Sequence, residues 1–200
     1  MIKKIMSLVL CFTLLFSLTA CNGKKESDSA KKSNTISAEK KIVNVEITLP
    51  ASLTEEMGDE DFELNEEAKE IGIKKITKNE DGSVTMKMSK KAHKELLSKL
   101  KTAIDESIAE LLADKETVPS FNNITYNDDL TEVTIQVDPE LYGSFDSFYA
   151  LAFYMYGNFY QAVNGVPENE LKTIVNFVDM NSGEILNTGD SSKIGESESE

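Results

Sequence analysis

His93 is the one histidine of this chain and Cys11 and Cys21 are its two cysteines, so most nucleophiles and soft metal ligands can be weighed by name. A zinc site needs several imidazole or thiolate groups, more than the chain holds. A Ser–His–Asp triad would have to use His93, yet no Gly-x-Ser-x-Gly elbow presents a serine. His93 stands beside Lys90, Lys91 and Lys94 with only Glu95 near it in sequence to orient it as a base, so it reads as a surface residue. Glycine-rich phosphate loops are absent. Carboxylates, lysine and tyrosine remain. Glu55 to Glu67 holds eight acids and no base, but lacks the Asp-x-Asp-x-Asp-Gly spacing of a calcium loop and reads as a solvated acidic segment. Asp128 and Asp129 fall in a turn, where aspartate bonds its own backbone. The residues therefore supply no catalytic constellation, no metal site and no cofactor site, and the expectation is a non-enzyme.

The informative cysteine is Cys21. Lys3 and Lys4, an apolar run from Ile5 to Leu18 and the small residues before Cys21 make the three-part layout of a secretory signal. It resembles the signal of bacterial lipoproteins, which implies removal of residues 1–20, lipidation of Cys21 and a position on the extracytoplasmic face of the cell membrane. The alternatives are an uncleaved anchor or an ordinary cut after Ala20. With two or three acyl chains, each buried methylene contributing about 0.8 kcal/mol, such a cysteine would anchor stably. Cys11 leaves with the signal, so disulfides, thiol nucleophiles and iron–sulfur clusters are not expected in the mature chain.

Removing residues 1–20 takes two of 21 basic residues and none of 35 acidic ones, so the mature charge is 19 minus 35, or −16. Every basic residue is lysine, and without arginine the planar fork that grips phosphate or carboxylate is missing. Nucleic acid is not an expected partner, since affinity for it rests on a basic footprint. The charge is uneven: residues 69–101 hold ten lysines against four acids, and 116–200 hold two lysines against fifteen acids.

Residues 21–41 are almost free of apolar side chains and read as a disordered, lipidated tether spanning roughly 25 Å. Residues 189–200 read as a disordered acidic tail. Between them, 42–188 is long enough for one domain with its own core. Within it a unit recurs: Ile76-Thr77-Lys78-Asn79-Glu80-Asp81 is echoed by Ile124-Thr125-Tyr126-Asn127-Asp128-Asp129, and Val84-Thr85-Met86 by Val133-Thr134-Ile135. Each copy reads as a hairpin running into a helix, by duplication or by chance. A third hairpin, Thr173 to Asn187, lacks the helix. Ile42 to Leu49 gives an opening strand. One helix starts at Ser89 and carries a single apolar stripe from Ala92 to Leu112. The other spans 139–164, with Asp138 as cap and Pro139 in first position. Nine of the thirteen aromatic residues outside the signal fall between Tyr142 and Tyr160, so this helix is apolar nearly all round. Either it fills the core, or part of it, with Tyr149, Tyr154, Tyr156 and Tyr160, forms a partner surface.

Val45-Glu46-Ile47-Thr48-Leu49-Pro50-Ala51, Asn79 to Thr85, Lys91-Ala92-His93-Lys94-Glu95, Tyr126 to Asp129 and Val175-Asn176-Phe177-Val178-Asp179 together resemble small surface lipoproteins of low-GC Gram-positive bacteria. These are often labelled antigen I/II N-terminal domain-like. The resemblance implies surface exposure and one domain, and brings no catalytic or ligand residue.

The fold expected is α+β: one antiparallel sheet of about six strands built from repeated hairpin–helix units, with two long helices on one face. The function expected is a membrane-anchored, non-catalytic interaction module for an extracellular protein or polymer. Its candidate surface is the four tyrosines or the cluster Lys90, Lys91 and Lys94. The alternatives are a glycan or cell-wall hydrolase with two carboxylates about 5 to 9.5 Å apart, and an accessory subunit of a membrane complex. The subunit reading requires an exposed apolar patch beside Leu151 to Tyr156.

Overall fold

The structure, a computed structural model, describes residues 44–55 and 62–194. Cys21, the expected signal and tether, 56–61 of the acidic segment and 195–200 of the tail lie outside the described residues. The chain divides into Met1–Ile42 and Val43–Glu200, and every described residue belongs to the second unit.

Among the described residues are seven strands in two sheets. The first comprises β1 (Asn44–Leu49), β2 (Ile73–Lys78) and β3 (Val84–Ser89) in the order β1-β3-β2, all antiparallel. The second comprises β4 (Phe121–Tyr126), β5 (Glu132–Val137), β6 (Ile174–Asp179) and β7 (Ile185–Asp190) in that order. The helices are α1 (Ala51–Thr54), α2 (Glu66–Ile71), α3 (Lys90–Ala113) and α4 (Ala150–Val163).

Two features correct the single antiparallel sheet. The 24 residues of α3 carry the chain about 36 Å between the two hairpins, so the second cannot pair beside the first. And β5 pairs with β6 in parallel, because α4 is a crossover between them rather than a tight turn.

The hairpin repeat is matched pair for pair. Lys78 faces Val84, Thr77 faces Thr85 and Ile76 faces Met86, as Tyr126 faces Val133, Thr125 faces Thr134 and Ile124 faces Ile135. Each first strand also bulges near its start, between Ile73 and Lys75 and between Phe121 and Asn123. The copies differ in the turn. Asn79 N–H donates to Ser83 O, whereas Asn127 N–H donates to Glu132 O, one residue further on. Gly82 takes the left-handed conformation in the first turn (φ 84°), and Leu130 takes it in the second (φ 52°). Leu130 tolerates it because its side chain is buried with Val133, Ile135 and Phe153.

Alternation along β3 and β5 buries Val84, Met86 and Met88 in one core, and Val133, Ile135 and Val137 in the other. Both long helices serve both cores. Ala92 and Leu96 of α3 and Ala162 and Val163 of α4 pack on the first sheet, while Ile104, Ile108, Phe153, Tyr154 and Tyr160 pack on the second. Ser89 caps α3 as its position implies, its Oγ accepting from Ala92 N–H at 3.1 Å. His93 is not simply a surface residue: it is half-buried, and its Nε2 donates to Val163 O at 2.9 Å, joining the start of α3 to the end of α4.

The aromatic helix is shorter than expected. Asp138 Oδ1 accepts from Glu140 N–H, which closes a turn instead of capping a helix. Asp146 Oδ2 then accepts from Gly143 N–H at 3.0 Å and from buried Ser120 Oγ at 2.8 Å, fixing the loop to the start of β4. A 3₁₀ turn, Asp146–Tyr149, leads into α4 at Ala150. The expected tail boundary at 189 likewise falls within β7, which runs to Asp190 and into a 3₁₀ turn at Ser191–Lys193. That turn is secured by Asp190 Oδ1, which accepts from Ser192 N–H and Oγ.

Candidate interaction surface

The four tyrosines named from sequence turn inward. Tyr154 and Tyr160 are buried, while Tyr149 and Tyr156 are half-buried against the same core. The ring of Tyr149 meets Phe121 edge-on at 5.2 Å, and that of Tyr156 meets Phe153 edge-on at 6.1 Å. Tyr154 lies over β7, where a Cβ on Gly189 would collide with its hydroxyl. Burial pushes the Tyr149 and Tyr154 hydroxyls up, with Asp114 and Asp146 adding to the first and Asp190 to the second. These phenols therefore stay protonated at neutral pH and are unsuited to act as bases or nucleophiles.

Lys90, Lys91 and Lys94 are exposed on the opening turns of α3. No described contact joins them to the tyrosines. The lysine that does meet one is Lys101, whose Nζ sits 5.5 Å from the ring centroid of Tyr160 and 3.6 Å from Asp128 Oδ1. Beside it Tyr126 Oη donates to Asp105 Oδ1 at 2.5 Å, and burial followed by this bond pushes the Tyr126 hydroxyl far up. This group joins α3, the second hairpin and α4 as interlocking pairs, with both carboxylates engaged. Among the described residues no group of three His, Cys, Asp or Glu side chains could hold a metal ion.

A second polar cluster is closed. Gln161 Nε2 donates to Lys172 O, Thr173 Oγ1 and Leu130 O, and Gln161 Oε1 accepts from Lys172 N–H. Thr173 Oγ1 donates to Asn158 Oδ1, and Thr173 N–H donates to Ser191 Oγ. Among the described residues every buried side-chain nitrogen or oxygen has a partner. Such a cluster locks α4 to the start of β6 and the end of β7, with nothing left over for a ligand.

What faces outward is the phenylalanine side of the same segment. Phe145 is 83% exposed, Phe148 63%, Leu151 48% and Met155 52%. Phe148, Leu151 and Met155 stand three and four residues apart, the spacing of one helical face, and the rings of Phe145 and Phe148 are 6.2 Å apart. The opposite side of the segment meets β7: Asn187 Nδ2 donates to Tyr142 Oη at 3.3 Å, and Ala150 lies over Gly189. Ile185 and Leu186 of β7 are themselves 57% and 39% exposed. Sequence reasoning missed these residues because apolar side chains occupy nearly every position there; the spacing of 148, 151 and 155 was the available signal.

No helix among the described residues is long and apolar enough to cross a membrane. No family model, curated protein or solved structure matches the chain.

Proposed function

We propose that the chain is a lipid-anchored extracytoplasmic lipoprotein whose folded unit is a non-catalytic interaction module, docking a protein through the Phe145, Phe148, Leu151 and Met155 stripe. The observation that carries this reading is the exposure of four large apolar side chains in eleven residues. Water-exposed apolar area of that kind is retained where a partner covers it. The layout around Cys21 and the resemblance to small surface lipoproteins support the address. The same stripe also supports the alternative of an accessory subunit of a membrane complex, since it lies where that reading required a patch.

Two measurements test it. Mass spectrometry of the N-terminal peptide should find a diacylglyceryl thioether on Cys21; an unmodified Met1 terminus overturns the address. A photo-crosslinker at position 151 in intact cells should give a discrete adduct that is lost with Phe148→Ser, whereas a crosslinker at 94 should not give the same adduct. Equal adducts at both positions overturn the stripe.

A further inference from the structure

The first sheet turns one face to its core and the other outward. Met86 and Met88 of β3 are buried, so Lys87 between them points away from the core, and its cross-strand neighbours Glu46 and Lys75 share that outer face. All three are exposed. Thr48, Thr85 and Thr77 form the next row towards the hairpin turn, and Asn44 with Ser89 the row at the other end. Lys74 reaches across that last row, its Nζ donating to Asn44 Oδ1 at 2.8 Å. Lys90 and Lys91 follow Ser89 directly and are exposed.

Lys74, Lys75, Lys87, Lys90 and Lys91 thus gather towards one end of the sheet around a single acid, Glu46, which Lys87 engages at 3.2 Å. The other acids of this part of the chain stand apart from them. Glu80 and Asp81 are in the turn at the far end of the ladder, Glu66 and Glu70 are on α2, which buries Ile71 on the core side, and Glu95 is a turn further along α3. The concentration of charge works against folding in two places. Lys75 and Lys87 are directly opposite, a like-charge pair that weakens a ladder. Lys90 and Lys91 open α3, whose first turn holds no acid, where the helix dipole disfavours cations. Cations retained at such a cost fit an anionic surface that they meet.

The position of these lysines names the surface. They stand at the end where β1 begins, and 22 residues separate Asn44 from Cys21. Those 22 residues add six lysines against three acids, whereas 116–200 holds two lysines against fifteen acids. A lipid on Cys21 would tether the fold by its basic end, and a tether turns a weak charge contact into an intramolecular one. We infer that the lysine end of the first sheet rests on anionic phospholipid headgroups of the membrane that holds the anchor, which repel the acidic residues 116–200. This rests on the lipid anchor proposed at Cys21 and adds the orientation of the module on its membrane.

The test uses the native lipidated protein, placed in vesicles of phosphatidylcholine alone or with about one third phosphatidylglycerol. Amine acetylation, read by peptide mass spectrometry, should slow by about threefold or more at Lys74, Lys75, Lys87, Lys90 and Lys91 in the anionic vesicles. The protection should vanish in about 1 M salt, where the screening length falls to about 3 Å. Lys172 and Lys193, in the acidic part of the chain, should react equally in both vesicles. Lys90→Glu with Lys91→Glu places acids where the helix dipole favours them, so this variant should keep its circular dichroism while Lys74, Lys75 and Lys87 lose their protection.

Equal reactivity of the five lysines in the two vesicles overturns the inference, as does protection that persists in the variant or extends to Lys172 and Lys193. Protection by soluble polyglycerol phosphate added to the phosphatidylcholine vesicles, with none from phosphatidylglycerol, would assign the face to an anionic polymer instead. An unmodified Met1 terminus removes the anchor and this orientation together. A lipidated Cys21 with an unprotected lysine face overturns the orientation alone, so the two failures are distinguishable.

Discussion

The two hairpins share a register residue for residue, yet their surroundings differ. The first turns through Gly82, leaves β2 as an edge and lines that edge with lysine. The second turns through buried Leu130 and likewise leaves its first strand, β4, as an edge, but that edge carries no lysine. The same backbone unit thus ends one sheet with a lysine-lined edge and the other with an edge that has none. The deciding chemistry lies in a few side chains off the ladder.

The largest effect should come from the seat of α4 on the second sheet. In most helices Gly→Ala stabilises, but a Cβ on Gly157 would collide with Thr173 Oγ1 and Leu130 O. Gly157→Ala should therefore cost about 2 to 3 kcal/mol in urea denaturation, and a stabilised variant would show that α4 is not packed on Leu130 and Thr173 as described. Next, Leu130→Gly removes a buried side chain while relieving its left-handed backbone, for a net loss of about 2 kcal/mol. Gly82→Ala in the other turn should cost about 1 kcal/mol; equal losses would erase the contrast between the turns.

A smaller effect on stability but a direct test of the edges is Lys75→Val with Lys78→Val. It should leave Tm within a few degrees while making the protein self-associate in light scattering, because the β2 edge would lose the lysines that guard it. The smallest effect concerns acid. Hydrogen bonds from Ser192, then Lys172, hold the Asp190 carboxyl down to about 2, below its ordinary 3.8. A depressed carboxyl contributes stability that is full above its unfolded value and lost as pH falls through the folded one. Asp190→Asn should therefore flatten the decline in stability between about pH 4 and pH 2, measured by denaturation at each pH.

Much of the local structure is legible in the sequence. Ser89 before an apolar stripe marks the start of α3, and Val84-Met86-Met88 and Val133-Ile135-Val137 mark half-buried strands. Which strands become neighbours is not legible, because alternation tells a strand which face to bury and nothing about its partner. The parallel β5–β6 pair is of this kind. Pro139 misleads, since the Asp138 carboxylate spends itself on a turn. At the surface, tyrosine suggests a wet interface, yet here burial leaves the tyrosines inside and the phenylalanines out. The reason is geometric: 148, 151 and 155 fall on the face opposite Phe153, Tyr154 and Gly157.

The placement of Ala162 and Val163 has a bearing on synthesis. They close the core over Leu49 and Met88, which precede them by more than seventy residues. A ribosome that has finished the first sheet has therefore not yet made its lid. Until α4 emerges, Leu49 and Met88 lack that cover, and a nascent chain halted at position 140 should be a good client for a holding chaperone.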